Sequence, residues 1–404
     1  MPAVFFYRSI GQTAASKFKT TKVVNHGLRG GGTIARQQPE NVLAEAFQSI
    51  RFLWSHRKGQ EIPAAVMDTF DNLGYVTKDG RRPLLVAKKK TPYGWHLAFS
   101  LPPGISFAKV RRQREYFADA VKGWVNLSWD GILHMDVYTG RLPKSLPFQW
   151  DPAPFGKMTL PIPVGVSQQG LEVLDLAESP HLLVAGVPGF GKSNFLHVLI
   201  HSLLPRSLVC IIDLKRLEFA YLRDHAAVTR NEDEALAMLR MLNREMERRI
   251  DTLEAAGVVK IQDFAGEMPC IVLVVDEVAE LKDEEALELI DRLVRLARAV
   301  GISVVAATQR PSIKVISGDT RAMFAARLCF QVADELNSRM VLGESCPLAA
   351  NLPGIKGRAI FKFGLVEKEV QTMFLPLQRA RELIRQLPAR GWQYQCEVKR
   401  LPPR

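Results

Sequence analysis

The stretch HLLVAGVPGFGKS, from His181 to Ser193, decides the fold of this chain. Its first half is a short apolar run of the kind that forms a buried strand. Its second half, Gly186–Ser193, matches the pattern G-x-x-x-x-G-K-[ST], and helical spacing of apolar residues follows directly. Glycines let such a loop curl so that its backbone N–H groups point at phosphate oxygens. The stretch therefore predicts a strand, a phosphate-binding loop and a helix in direct succession.

The loop supplies the predicted nucleotide site. We expect Lys192 to reach the β- and γ-phosphates of ATP, and Ser193 to ligate Mg²⁺. The start of the following helix would add positive potential near the phosphates. The predicted nucleotide-binding residues are Gly186, Val187, Pro188, Gly189, Phe190, Gly191, Lys192 and Ser193.

A second apolar run, CIVLVVDE at residues 270–277, ends in two carboxylates. This ending is weak support by itself, because an apolar strand that ends in Asp-Glu can also lead into a simple turn. Combined with the phosphate loop, it predicts that Asp276 completes the Mg²⁺ site. Glu277 would then act as the general base that polarises the attacking water.

A third apolar run, SVVAATQ at residues 303–309, ends in Gln309 and continues into a polar segment, RPS. Ligands bind at the carboxyl ends of the strands in a parallel sheet. We therefore expect Gln309 beside the γ-phosphate, where its amide would sense whether the nucleotide is cleaved. A polar cap on the strand is the simpler interpretation, but it would leave the TQRPS segment unexplained.

The excess positive charge lies in the first part of the chain. The formal net charge is +12, and residues 1–150 hold 22 Lys and Arg against 10 Asp and Glu. The remaining residues hold 32 of each sign, so they balance. Such a surplus attracts polyanions such as nucleic acid or acidic lipid. A solvated basic face without a partner is the alternative.

The five cysteines show no CxxC spacing, which favours a reducing compartment over a disulfide framework. No apolar run approaches the length of about 20 residues that crosses a bilayer. The opening MPAVFFYRSIG lacks the basic region of a secretory signal. We therefore expect a cytoplasmic protein with no membrane anchor of its own.

Two histidines, His197 and His201, stand four residues apart on the helix predicted after the loop. This spacing could place both on one metal ion. Neither an acidic third ligand nor an HExxH pattern accompanies them. We therefore interpret the pair as packing residues.

Several blocks of the sequence resemble the successive blocks of the FtsK/SpoIIIE family of DNA-translocating ATPases. The resemblance covers roughly residues 160–376, and the small domain before them is similar to the one that precedes the motor in this family. It implies a hexameric ring with double-stranded DNA in its channel and ATP sites between subunits. The blocks are HLLVAGVPGFGKS, IIDLKRLEFAYL, LNREMERRI, IVLVVDEVAEL, RLARAVGISVVAATQRPSIKVISG and RLCFQVADELNSRMVLG.

The same resemblance implies further roles for individual residues. Arg327 matches an arginine that family members offer to the nucleotide of a neighbouring subunit, and Arg339 is the other candidate for this role. Such an arginine would neutralise transition-state charge only in the assembled ring. The residues expected to contact the DNA backbone are Arg310, Lys314 and Arg321.

The predicted fold class is α/β, a RecA-like P-loop ATPase with a parallel sheet, preceded by a small α+β domain. Near-continuous apolar strands that alternate with helices are typical of such a sheet. A glycine run marks the first segment, and proline-rich DPAPFGKMTLPIPVG separates the two domains. The predicted segments are a basic flexible arm or linker at 1–38, the small basic α+β domain at 39–150, the RecA-like motor domain at 151–380 and a short C-terminal tail at 381–404.

The expected function is ATP-dependent translocation of double-stranded DNA by a homo-hexameric ring. We expect it to serve conjugative or mobile-element transfer or DNA partitioning, with a membrane-bound transfer or segregation apparatus as a further partner. No small-molecule substrate other than ATP is expected. The alternative is a coupling ATPase that delivers single-stranded DNA or protein to a secretion channel. Glu277, Gln309 and a finger arginine together argue against a DNA-binding factor that does not hydrolyse nucleotide.

Two departures from the family bear on the biological role. The sequence shows no membrane-spanning N-terminal region of the kind that division-site translocases carry. Only about 28 residues follow TMFLP, too few for a winged-helix module after the motor. Both features favour a mobile element, plasmid or phage over chromosome segregation.

Overall fold

The computed structural model describes residues 61–91, 94–309 and 318–387. The chain divides into two compact units, residues 1–47 and 48–404, and every described residue belongs to the second. The predicted arm at 1–38 and its boundary with the small domain therefore lie outside the described residues. Arg310 and Lys314 lie outside them as well.

An antiparallel sheet of four strands, in the order β1-β2-β4-β3, forms the small domain. Three helices accompany it: α1 at Ile62–Asn72, α2 at Phe107–Arg112 and α3 at Arg114–Val121. The rings of Phe70, Phe99 and Phe117 meet edge to face in the core between sheet and helices. The prediction of a small α+β domain is confirmed. Its strands are β1 at Leu84–Thr91, β2 at Gly94–Ser100, β3 at Trp124–Trp129 and β4 at Leu133–Tyr138.

The basic helical stretch of the small domain docks against the larger domain, for which the sequence predicts ATPase activity (the ATPase domain). Gln113 separates this stretch into the two short helices α2 and α3. Arg114 of α3 contacts the Glu367 carboxylate at 3.2 Å, and Arg111 of α2 donates to the Ser345 hydroxyl at 3.0 Å. Part of the positive charge that the sequence places in this domain is therefore used inside the molecule.

A sheet of ten strands forms the centre of the ATPase domain, in the order β6-β5-β14-β13-β12-β7-β11-β10-β8-β9. The six strands from β12 to β9 are parallel, as the alternation of apolar runs and helices predicted. The other four extend the sheet in antiparallel fashion. The strands are β5 at Pro161–Ser167, β6 at Gly170–Asp175, β7 at His181–Ala185, β8 at Leu208–Ile212, β9 at Ala227–Thr229, β10 at Ile271–Val275, β11 at Ile302–Thr308, β12 at Ala326–Phe330, β13 at Arg358–Phe363 and β14 at Val366–Gln371.

Strand β5 lies in the proline-rich stretch that we interpreted as a separator. Its prolines, Pro161 and Pro163, pair with β6 on one side of the strand. The neighbour on the other side, β14, pairs only with Val166 and Ser167. Proline can therefore be accommodated in this strand, because its missing N–H falls where the second ladder has already ended.

Helices cover both faces of the large sheet. Alternate strand residues face opposite sides, so that Leu183 and Leu273 pack with α5 and α6, whereas Leu182 and Val272 pack with α4. The predicted boundary at 380/381 falls inside α9, whose Ala380 and Ile384 are buried. The helices are α4 at Lys192–Leu203, α5 at Glu232–Ala255, α6 at Glu284–Leu296, α7 at Gly318–Met323, α8 at Glu335–Leu342 and α9 at Leu377–Ile384.

A helix that crosses a bilayer needs about 20 predominantly apolar residues. None of the helices in the described ranges has both the length and the apolar character needed to span a membrane.

Arg249 of α5 is a buried cation that joins three parts of the ATPase domain. Its side chain is 1% exposed and donates to Glu245 at 2.7 Å, to the Val300 carbonyl at 2.9 Å and to the Pro269 carbonyl at 2.9 Å. The two carbonyls precede β11 and β10, so Arg249 ties the long helix to the start of both strands. The neighbouring Arg248 shares Glu245 at 2.7 Å, but its side chain is 62% exposed.

We expect Arg249→Ala to lower the free energy of unfolding by about 3 kcal/mol, because it leaves Glu245 and two buried carbonyls without this donor. Arg248→Ala is the matched control and should cost less than about 1 kcal/mol, since exposed ion pairs contribute little. Chemical denaturation of the two variants beside the wild-type chain measures both effects. Equal losses in the two variants would contradict the role given to Arg249.

Candidate nucleotide-binding site

The carboxyl ends of three neighbouring parallel strands bring the predicted site together. Strand β7 runs into the phosphate loop, β10 is followed by Asp276 and Glu277, and β11 by Gln309. The loop is attached to the strands on either side of β7. Gly186 N–H donates to the Thr308 carbonyl at 3.3 Å, and Val187 N–H donates to the Gln331 carbonyl at 2.9 Å. The phosphate loop therefore starts from a position that both neighbouring strands determine.

The loop needs glycine at its first position. Gly186 has φ = 156°, and a Cβ atom there would lie 2.6 Å from the Cβ of Phe330. At the other end, the Phe190 carbonyl accepts a hydrogen bond from Gly357 N–H at 2.8 Å. Helix α4 begins at Lys192, so its free N–H groups open towards the loop. The loop predicted from sequence is thus present with the helix N-terminus that anion binding requires.

Lys192, Asp276 and Glu277 form a buried charge cluster. The Lys192 ammonium donates to the Asp276 carbonyl at 2.6 Å and lies 3.3 Å from the Asp276 carboxylate and 3.6 Å from that of Glu277. The three residues are 4%, 3% and 7% exposed. Burial raises the pKa of Asp276, and the charge of Lys192 opposes this rise. The structure therefore brings together three residues that lie up to 85 positions apart in the sequence.

Glu277 is held by the end of strand β11. The Thr308 hydroxyl donates to one carboxylate oxygen at 2.8 Å, and the Gln309 N–H lies 3.0 and 2.9 Å from the two oxygens. Gln309 directly follows β11 and contacts Glu277 through its backbone N–H, and the place of its side chain beside the γ-phosphate stays a prediction. Thr308 was not singled out from the sequence, where it reads as the last residue of a buried strand.

A third acidic residue, Glu218, was also missed by the sequence analysis. Its carboxylate lies 3.4 Å from Nε2 of His197, one helical turn after Ser193 on α4. The hydrogen bond from His197 is the main cause that lowers the pKa of Glu218, and Lys192 adds to it. The IIDLKRLEFAYL block contains this residue, but neither its spacing nor its composition indicates a site.

The two histidines of α4 belong to a hydrogen-bond chain that ends at Glu218. The Tyr221 hydroxyl lies 3.0 Å from Nδ1 of His197 and 3.0 Å from Nε2 of His201. Burial lowers the pKa of His201 to about 4, so this ring is neutral at pH 7. Among the described residues, no group of three or more His, Cys, Asp or Glu side chains is arranged to hold a metal ion.

Three arginines that were predicted to act outside their own subunit make contacts within their own chain. Arg327 donates to the carbonyls of Phe324, Val341 and Arg321 at 2.9, 3.0 and 3.0 Å. Arg321, a predicted DNA contact, donates to the Met340 carbonyl at 2.7 Å. Arg339 pairs with Glu335 at 2.8 Å. These bonds give Arg327 a structural role within its own chain and do not favour its presentation to a neighbour, so its role as a finger remains a prediction.

Residues 146–269 match the model of the FtsK/SpoIIIE family. Relatives of that kind include the DNA translocase FtsK of Chlorobaculum tepidum, 39% identical over 215 residues that cover 46% of this chain. The corresponding protein of Tropheryma whipplei is 36% identical over 233 residues that cover 50% of this chain. The matches cover only 27% and 31% of these two relatives, so the chain spans less than a third of their length.

Two solved structures extend the comparison beyond the matched segment. The monomer form of the pCW3 conjugation coupling protein TcpA, solved with ATPγS, is 25% identical with a TM-score of 0.56, covering 81% of this chain and 99% of that one. The cytoplasmic domain of the Type VII secretion ATPase EccC of Thermomonospora curvata is 25% identical with a TM-score of 0.50, covering 62% of this chain and 33% of that one. The resemblance predicted from the motifs is thereby confirmed: residues 146–269 match the FtsK/SpoIIIE family model, and the mostly parallel sheet with its helices resembles the P-loop α/β fold of these solved structures.

Proposed function

We propose that this chain hydrolyses ATP and uses the energy to move double-stranded DNA through a homo-hexameric ring. The observation that carries the proposal is the buried contact of Lys192 with Asp276 and Glu277 beside the phosphate loop. A phosphate cradle, an ammonium group and two acidic side chains at one sheet edge are the parts that phosphoryl transfer needs. The DNA substrate is supported by the relatives, which bear the name DNA translocase FtsK.

In this proposal, the loop and Lys192 bind the triphosphate, and Glu277 acts on the attacking water. The Lys192 ammonium would exchange its contacts with Asp276 and Glu277 for phosphate oxygens. The water oxygen would bond to the γ-phosphorus while the bond from that phosphorus to the bridging oxygen of ADP breaks. The water proton would pass to the Glu277 carboxylate, which Thr308 and Gln309 hold in place. Gln309 would also sense the γ-phosphate through its side chain.

The residues beside Lys192 suit Mg²⁺. The Ser193 hydroxyl and the Asp276 carboxylate are hard oxygen donors of the kind Mg²⁺ prefers. Burial raises the pKa of the Asp276 carboxyl. A cation bound beside it would stabilise the charged carboxylate. We propose that Ser193 and Asp276 hold this ion. When bound, Mg²⁺ neutralises charge on the phosphate oxygens.

The remaining partners are proposed from charge, cysteines and the comparisons. A basic N-terminal third supports binding to the DNA backbone, although Arg111 and Arg114 are engaged with the ATPase domain. Four cysteines are free in the described structure, which supports a reducing, cytoplasmic setting. Work in conjugative or mobile-element transfer, beside a membrane-bound apparatus, is supported by the fold match to TcpA.

One specific observation favours a second candidate function, that of a coupling ATPase. The two solved structures described above are named a conjugation coupling protein and a secretion ATPase. A coupling ATPase that delivers single-stranded DNA or protein to a channel would use the same nucleotide site. The two functions differ in the polymer that stimulates hydrolysis.

We expect Lys192→Ala to abolish ATP binding, because it removes the only ammonium group that the described structure places against Asp276 and Glu277. Glu277→Gln keeps the shape of the side chain but loses the base, so it should bind ATP while hydrolysis falls by a factor of about 10² to 10⁴. Phosphate release and binding of a fluorescent ATP analogue measure the two effects. Lys282→Ala, an exposed lysine close to the same strand end, is the control. Hydrolysis by Glu277→Gln at the wild-type rate would exclude the proposed base.

We expect linear double-stranded DNA to stimulate hydrolysis more than single strands of equal length, and displacement of a triplex-forming strand to require ATP. Binding to duplex DNA should weaken steeply as salt rises, because phosphate contacts release counterions. Lys192→Ala serves as the control that can bind DNA but cannot displace the strand. Stimulation by single strands alone would favour the coupling ATPase.

A further inference from the structure

The segment that follows β14 supports the phosphate loop from outside the nucleotide site. Gly357, whose N–H donates to the Phe190 carbonyl, accepts two bonds at its own carbonyl from Thr372: one from the N–H at 2.8 Å and one from the hydroxyl at 3.0 Å. Gly357 has φ = +80°, and a Cβ atom there would lie 2.6 Å from Nε2 of Gln371. The loop thus rests on a glycine that the end of β14 holds in place.

The same segment also holds the first turn of α4. The Asn194 side chain donates to the Leu375 carbonyl at 2.7 Å and accepts from the Leu375 N–H at 3.3 Å. Asn194 directly follows Ser193, the proposed Mg²⁺ ligand. Residues 372–375 therefore reach the phosphate loop through Gly357 and contact the helix behind it directly.

Arg358, the residue after Gly357, connects this support to the linker between the domains. It is 5% exposed and donates to Gln371 at 3.0 Å and to Glu369 at 2.6 Å, both on β14. The same guanidinium donates to the Pro143 carbonyl at 2.9 Å. Pro143 lies between β4 of the small domain and β5 of the ATPase domain. One buried cation thus joins the linker, β14 and the glycine under the phosphate loop.

The linker also pairs directly with the segment after β14. Phe374 N–H donates to the Leu146 carbonyl at 2.6 Å, and Phe148 N–H donates to the Phe374 carbonyl at 2.9 Å. The small domain reaches the start of the same strand, where the Glu367 carboxylate contacts Arg114 at 3.2 Å and Lys362 at 3.3 Å. Strand β14 and the residues directly after it therefore contact, in turn, the small domain, Gly357 under the phosphate loop, and the linker.

We propose that Arg358 is a positioning residue for the nucleotide site, acting through Gly357 on the phosphate loop and binding the interdomain linker to it. This inference rests on the proposed ATP-binding function. Its physical basis is that a planar guanidinium carries five N–H donors in a fixed fork, which here reach side chains of β14 and carbonyls of the linker at once. A lysine ammonium has three donors and lacks this planar geometry. Loss of these donors would free Gly357 from the linker, and the Phe190 carbonyl that accepts from Gly357 would then be held less firmly.

Arg358→Lys tests this role, with Arg249→Lys as the matched control. Both arginines are buried and donate to at least three acceptors, but the acceptors of Arg249 in the described structure lie outside the phosphate loop and the linker. We expect Arg358→Lys to weaken binding of a fluorescent ATP analogue about fivefold, the equivalent of one net hydrogen bond. KM for ATP should rise by the same factor while kcat changes less than twofold. Arg249→Lys should lower the melting temperature without changing analogue affinity.

A second pair of variants guards against loss of folding in the first. Thr372→Val removes the hydroxyl bond to Gly357 and should also weaken analogue binding. Thr229→Val removes the hydroxyl of another buried threonine, whose contact with the Ile211 carbonyl is longer at 3.5 Å and lies at the opposite edge of the sheet, and it should leave affinity unchanged. Equal affinity changes within each pair would overturn the positioning role while leaving the proposed function intact. Failure of the wild-type chain to bind the analogue would overturn both.

Discussion

The buried ammonium group of Lys192 is the charge around which the nucleotide site is organised. It lies between the carbonyl of Asp276 and the carboxylates of Asp276 and Glu277, where water has little access. One positive charge faces two negative ones, and burial makes that imbalance costly. The raised pKa of Asp276 is a direct expression of this cost. A cation that entered the cluster would offset its excess of negative charge.

This cluster can exist because the sheet around it is parallel. The carboxyl ends of β7, β10 and β11 meet at one edge, so a loop, two acidic residues and a backbone N–H arrive together from distant parts of the chain. The end of β11 links these parts, because it forms hydrogen bonds with both the start of the phosphate loop and the carboxylate of Glu277. The chemistry of the site and the packing of the core are therefore not separable here.

The antiparallel strands of the sheet connect the small domain to the candidate nucleotide site. Arg111, Arg114 and Arg358 all donate across this boundary, to Ser345, Glu367 and the linker carbonyl of Pro143. A high count of basic residues in the small domain thus partly reflects internal contacts. The net charge of a segment gives the balance of its charged side chains but does not show which of them face solvent.

The sequence by itself determined the phosphate loop, the acidic pair after β10 and the parallel strands, because each is a local pattern whose residue types have few other uses. It also carried the resemblance to the FtsK/SpoIIIE family, since that depends on ordered blocks. Only the tertiary structure decided that β5 joins the main sheet and that Thr308 and Glu218 lie at the candidate site. It also decided that Arg327 donates to carbonyl groups of its own chain. Those facts depend on contacts between residues far apart in the chain. No local spacing records such contacts, because the partner of a hydroxyl or guanidinium is chosen by the packing of the whole sheet.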